Sequence, residues 1–214
     1  MAEEKIRRPI KTKGIKAVDQ LGILVLDGSG SMGKQDASGR GTKAEAVGEV
    51  VKGLITRLQG STRSPDFSLS LIAFDDQVEL PPRLSPTPVD DIDLNSLNTN
   101  PLLGGQTAIG DALEKAGEIA QEFLNLGGEL PRKVLIMLMS DGQNVTGKDP
   151  LIVSQFLKEH YGEKCKICCV AYGADADQET LKKICSELED KYFRSIDDPE
   201  TLRTFFEASM MAVE

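Results

Sequence analysis

The chain has 214 residues, 40% hydrophobic and 28% charged, with a formal net charge of −9. That length suits one domain able to bury roughly 70% of its unfolded surface. The acidic balance excludes a general nucleic-acid binder, which would carry a basic stripe.

Residues 1–17 contain Lys5, Arg7, Arg8, Lys11, Lys13 and Lys16 with little periodicity. They read as a basic lead-in without the apolar stretch of an export signal, leaving residues 18–214 as the domain. Leu21–Leu26 is a continuous apolar run ending in Asp27, the pattern of a strand buried on both faces. A Gly/Ser loop and the polar stretch Lys34–Gly41 follow. Thr42 with Glu45 three residues on is a capping-box pattern, and Ala46, Val50, Leu54 and Leu58 recur behind it at helical spacing up to Gly60. Phe67–Phe74 is the second strand, and Asp75-Asp76 allows a turn into a hairpin partner at Val78–Leu80. Pro81–Pro101, rich in Pro, Asp and Asn, reads as an irregular surface loop.

Gly104-Gly105-Gln106-Thr107 leads into a helix running to about Leu126. Lys133–Met139 is the third buried strand and ends at Ser140-Asp141-Gly142. A helix over Leu151–Tyr161, a strand over Lys166–Tyr172, a helix over Gln178–Leu188, a short strand at Tyr192–Arg194 and a helix over Pro199–Met211 complete the chain. Strands alternating with helices predict an α/β fold with a mostly parallel sheet covered on both faces. No apolar run approaches the roughly 20 residues that span a membrane. The four cysteines crowd into the last quarter, which is not a disulfide framework, and a cytoplasmic setting is expected.

Three polar clusters fall where the chain leaves a buried strand or enters a helix: Asp27-Gly-Ser29-Gly-Ser31, Gly104-Gly-Gln-Thr107 and Ser140-Asp141-Gly142. In an open α/β sheet, ligands bind beyond the carboxyl ends of the strands. Asp27 and Asp141 can therefore meet across a long sequence separation. Two carboxylates and three hydroxyls offer oxygen only, the ligand set of a hard cation such as Mg²⁺. A metal held by few formal charges keeps positive charge and an open position for a partner's carboxylate.

Asp27, Ser29, Ser31, Thr107 and Asp141 together resemble the metal-ion-dependent adhesion site of von Willebrand factor type A domains, and the resemblance runs from about Val18 to Met211. It implies a Rossmann-like sheet with one antiparallel edge strand, a place for Val78–Leu80. It also implies that Ser29 and Ser31 contact the metal directly. Thr107 would do so directly or through water, and Asp27 and Asp141 largely through water. The cation expected is Mg²⁺, with Mn²⁺ or Ca²⁺ as alternatives. The function implied is a monomeric, non-enzymatic module that takes an Asp or Glu side chain of an intracellular protein partner, with no nucleic-acid or membrane role. By analogy with stand-alone relatives, that partner belongs to an AAA+ ATPase, kinase or phosphatase system of a stress response.

The same residues admit other readings. Gly28-Ser-Gly30-Ser-Met-Gly33 matches a dinucleotide fingerprint, but Lys34–Gly41 interrupts where the helix should begin, and Thr107 and Asp141 are left without a role. A phosphate-binding P-loop lacks its Gly-Lys-Ser/Thr. A nucleophilic hydrolase needs a base, and the one histidine, His160, sits on a predicted outer helix. Cys165 and Cys168 would point to opposite faces of a strand, as buried thiols rather than a zinc site. Asp111 either orients Thr107 or favours its helix N-terminus. Asp36 either solvates the insert or leans over the metal. Phe205, Phe206 and Met210 read as core, or Phe206 with Met210 and Met211 as a docking stripe. The enzymatic alternative is metal-dependent phosphoryl transfer at the same carboxylates.

Overall fold

The computed structural model describes residues 13–37, 39, 41–174, 176–187 and 191–211. Residues 1–12 of the basic lead-in, and Leu188 at the expected end of one helix, lie outside them. In chain order the strands are β1 (Asp19–Asp27), β2 (Phe67–Phe74), β3 (Leu84–Pro88), β4 (Arg132–Ser140), β5 (Cys165–Tyr172) and β6 (Phe193–Ile196). The helices are α1 (Lys43–Gln59), α2 (Ile109–Asn125), α3 (Pro150–Tyr161), α4 (Gln178–Ile184) and α5 (Pro199–Met211).

The strands form one sheet in the order β3-β2-β1-β4-β5-β6. All pairings are parallel except that of β2 with β3 at one edge. The apolar runs read from sequence are the central strands: every residue of β2, and every residue of β1 after Asp19, is buried. Helices α1 and α5 pack together, as do α2 and α3 with α4 beside them, so both faces of the sheet are covered. This is the expected Rossmann-like arrangement. Phe206 and Met210 are fully buried and belong to the core. Met210 also stands where a side chain on Gly22 of β1 would have to be, 2.6 Å from such a Cβ.

The antiparallel edge strand exists, but a different segment supplies it. Val78 makes only an isolated bridge to Phe74, and the strand is Leu84–Pro88, inside the stretch read as irregular. Pro86 and Pro88 argue against a strand in sequence because proline donates no ladder hydrogen bond; at a sheet edge that loss is tolerated. Nor is the rest of residues 81–101 a surface loop. Val89, Ile92 and Thr99 are buried, and Asn100 lies against α1 so closely that a Cβ on Gly48 would approach it to 3.2 Å. The last short strand runs Phe193–Ile196, slightly later than expected.

Helix α1 starts where the capping box placed it. The Thr42 hydroxyl accepts from the Glu45 N–H at 3.1 Å, and the Glu45 carboxylate accepts from the Thr42 N–H at 2.8 Å. Two N–H groups that no helical carbonyl can reach are thereby satisfied. Replacing Thr42 with Ala is expected to cost about 1 kcal/mol, read as a lower urea midpoint with an unchanged slope.

Candidate metal centre

β1 and β4 lie side by side, and the connections leaving them run to opposite faces of the sheet. The carboxyl ends of these two strands therefore open a crevice. Leu26 is level with Met139, so the residues that follow, Asp27 and Ser140, come out together. The Ser140 hydroxyl donates to Asp27 Oδ2 at 2.5 Å, and the Ser29 backbone N–H donates to Asp27 Oδ1 at 2.8 Å. Asp27 is completely buried. That burial is the largest influence on its carboxyl and raises its pKa above the ordinary 3.8, although the hydrogen bonds from Ser140 and Ser29 pull the other way.

The Gly30–Gly33 turn that follows and its N-cap Ser29 bring two hydroxyls together. Ser29 Oγ and Ser31 Oγ are 3.1 Å apart, and the Ser31 hydroxyl donates to Asp141 Oδ1 at 2.6 Å. The other oxygen, Asp141 Oδ2, accepts from Lys43 Nζ at 2.6 Å, an ion pair whose side chains are 0% and 10% exposed. Lys43 is the first residue of α1, and the sequence alone gave it no role beyond helix formation.

Thr107 is 5% exposed and precedes α2 by two residues. Its carbonyl accepts from the N–H groups of Val145 and Thr146. Its hydroxyl lies 3.3 Å from where a Cβ on Gly142 would stand. All five residues singled out in sequence thus converge at one end of the sheet.

The loops carrying them are stacked at backbone distance. The Gly28 carbonyl accepts from Leu103 N–H at 2.7 Å and Gly104 N–H at 2.9 Å, and Gly30 N–H donates to the Gly105 carbonyl at 2.9 Å. A Cβ on Gly28 would sit 2.0 Å from the Pro101 carbonyl oxygen, so this position requires glycine for close approach. Asp75, read in sequence only as a turn residue, accepts from the Gly105 N–H at 3.0 Å and buttresses the same loop.

Asp111 does not reach Thr107. Its carboxylate accepts from the Lys148 N–H at 3.0 Å and steadies the loop after β4. Asp36 is buried rather than solvating the insert. Its charge, after burial, helps push the Tyr172 phenol up to about 12. His160 is exposed on α3 and stacks on Phe156. The four cysteines are buried and unpaired, with burial pushing Cys165 and Cys168 up to about 12.

The donor set is oxygen throughout, and its spacing suits a small hard cation. Neighbouring positions of an octahedron with metal–oxygen distances near 2.1 Å are about 3 Å apart, and the two serine oxygens stand at 3.1 Å. A cavity of about 1200 Å³ between α1, residues 97–100 and the start of α5 includes none of the five residues in its walls. The rim beside them is apolar instead: Leu102 and Leu103 are 40% exposed and Val145 62%.

Comparison with known proteins agrees with this arrangement. The profile described as von Willebrand factor type A domain matches residues 23–208. Proximal thread matrix protein 1 of the mussel byssus, solved with a zinc-occupied MIDAS motif, is 20% identical with a TM-score of 0.64, over 92% of this chain and 46% of that one. A von Willebrand factor type A protein from Catenulispora acidiphila is 21% identical with a TM-score of 0.62, over 90% and 42%. The pilus adhesin SpaC from Lactobacillus rhamnosus GG is 16% identical with a TM-score of 0.69, over 95% and 31%. The chain thus spans less than half the length of each of these proteins. No curated protein sequence matches significantly.

The raised Asp27 pKa has a consequence for stability. A carboxyl whose folded pKa lies above its unfolded value favours folding below pH 3.8, and that contribution is lost as pH rises through the raised value. At neutral pH the buried charge is therefore a net cost to the metal-free protein. Asp27→Asn is expected to raise the thermal midpoint of chelator-treated protein at pH 7, with the gain shrinking as pH is lowered through the carboxylate range. A lower midpoint at pH 7 would show instead that hydrogen-bond acceptance by Asp27 dominates.

Proposed function

The chain belongs to the von Willebrand factor type A family, and from that premise we propose that it is a non-enzymatic, metal-dependent protein-interaction module. The observation that carries this reading is the pair of serine hydroxyls 3.1 Å apart, set between two buried carboxylates. Ser29 and Ser31 would hold the ion directly, Thr107 would complete the protein's share, and Asp27 and Asp141 would orient the hydroxyls and any bound water. When bound, the divalent cation supplies a Lewis-acidic position for a carboxylate from a protein partner. Mg²⁺ suits the all-oxygen set and the spacing, and the zinc found in the mussel protein's motif supports a divalent ion of this size.

The apolar rim of Leu102, Leu103 and Val145 gives a partner surface something to bury around its carboxylate, which a site for a small polar substrate would not need. The four buried thiols, none of them in a disulfide, support a reducing, cytoplasmic setting; an AAA+ ATPase, kinase or phosphatase system of a stress response is the partner class by family analogy alone. A monomer is the expected state. Residues 18–214 would form the functional domain.

One observation leans toward phosphoryl transfer: Asp141 is paired with a lysine, as a nucleophilic aspartate can be. Against it, all four oxygens of Asp27 and Asp141 already accept hydrogen bonds, from Ser29, Ser140, Ser31 and Lys43.

Titration of chelator-stripped protein with Mg²⁺ or Mn²⁺ by calorimetry tests the proposal. The parent should bind one ion, and Ser29→Ala with Ser31→Ala should weaken binding by 100-fold or more, on the order of the loss of two metal ligands. Binding by the double variant equal to the parent's would falsify the site. Turnover of a generic phosphoester with Mg²⁺, lost in Asp27→Asn, would favour the enzymatic alternative.

A further inference from the structure

Lys43 is placed against two general preferences. A lysine is almost never this deeply buried unless paired, and a cation in the first turn of a helix faces the positive end of its dipole. Yet Lys43 is the first residue of α1, its side chain is 10% exposed, and Nζ reaches the buried Asp141 Oδ2 at 2.6 Å. Helix α1 itself is well supported by its capping box and its buried apolar face, and neither needs a lysine at this point.

The geometry points to Lys43 as a positioning and charge-setting residue of the metal centre, one that weakens cation binding in order to strengthen carboxylate capture. This inference rests on the metal-ion reading of the preceding section. Lys43 takes one oxygen of Asp141, which leaves the other oxygen to the Ser31 hydroxyl and fixes the plane of that carboxylate. The Lys43 ammonium sets one positive charge against the carboxylate of Asp141, so the site carries one negative charge fewer than it would without it. Without that charge the site would hold a divalent ion more tightly and leave it less positive. With Lys43 present the loaded site is more positive by one charge, which favours an anionic side chain at a rim that includes Leu102, Leu103 and Val145. Because Asp27 and Asp141 are buried, these charges are poorly screened by solvent and the difference is felt at the metal.

The neutral variants Lys43→Met and Lys43→Gln, with Lys43→Arg as the charge-conserving control, test this. Mn²⁺ affinity is read by electron paramagnetic resonance of chelator-stripped protein. Capture of an anion is read from the water-proton relaxation of Mn²⁺-saturated protein titrated with acetate. Both neutral variants should bind Mn²⁺ more tightly, by roughly tenfold for a unit charge removed within several ångströms of the ion. Both should bind acetate more weakly than the parent, and the Arg variant should stay close to the parent in both titrations. A lysine that merely holds the fold together predicts the opposite sign: neutral variants that bind Mn²⁺ no better than the parent, or worse, overturn the inference while leaving the metal site intact. A parent that binds no Mn²⁺ overturns both readings. Should neither neutral variant fold without metal, Mn²⁺ is expected to restore the fold, and failure to do so also overturns the proposal.

Discussion

The interaction on which the rest of this structure depends is the burial of the Asp27 carboxylate at the end of the central strand. An ionised group withdrawn from water is costly unless its oxygens are hydrogen-bonded. Here one oxygen is met by the Ser140 hydroxyl from the neighbouring strand and the other by the Ser29 backbone. Each partner exists because the sheet puts it there: Ser140 is the residue beyond the pair Leu26 and Met139, and Ser29 begins the turn that β1 runs into. The carboxylate thus ties the metal loop to β4 before any ligand arrives.

Close backbone stacking carries that constraint outward. Gly28 lets the chain from Pro101 to Gly104 lie directly on the metal loop, and Asp75 holds Gly105 from the end of β2. Residues 81–101 connect that contact to the sheet edge and to α1, through β3 and through Val89, Ile92 and Thr99 in the core. A segment that looks like a free loop is the strap that sets the height of Thr107 over the site. Support of this kind holds the Ser29, Ser31 and Thr107 side chains on packed backbone rather than on a free loop.

Electrostatics completes the arrangement. Asp27, Asp141 and Lys43 are all buried, so each charge is felt strongly by the others. Stability and function pull in different directions there: Asp27 costs the metal-free fold some stability at neutral pH, as residues kept for binding often do.

Much of this was legible without a structure. The continuous apolar runs within β1 and β4, and the run of β2 broken only by Ser68 and Ser70, pointed to buried strands, and the Asp and Ser residues that follow them had to emerge at one end of a parallel sheet. Asp27, Ser29, Ser31, Thr107 and Asp141 were found that way, as was the start of α1, because capping is a local interaction among four residues. What the sequence by itself determined was therefore the fold class and the five oxygen-bearing side chains that converge at one end of the sheet, both written in local periodicity and in residue type. Three features needed the tertiary structure. Proline hid the edge strand at Leu84–Pro88, since only its position at the rim makes a missing N–H harmless. Asp75 looked like a turn residue until Gly105 was seen against it. Lys43 and Asp141 stand 98 positions apart; nothing local marks them as partners, because only the tertiary fold brings the start of α1 to the loop that follows β4.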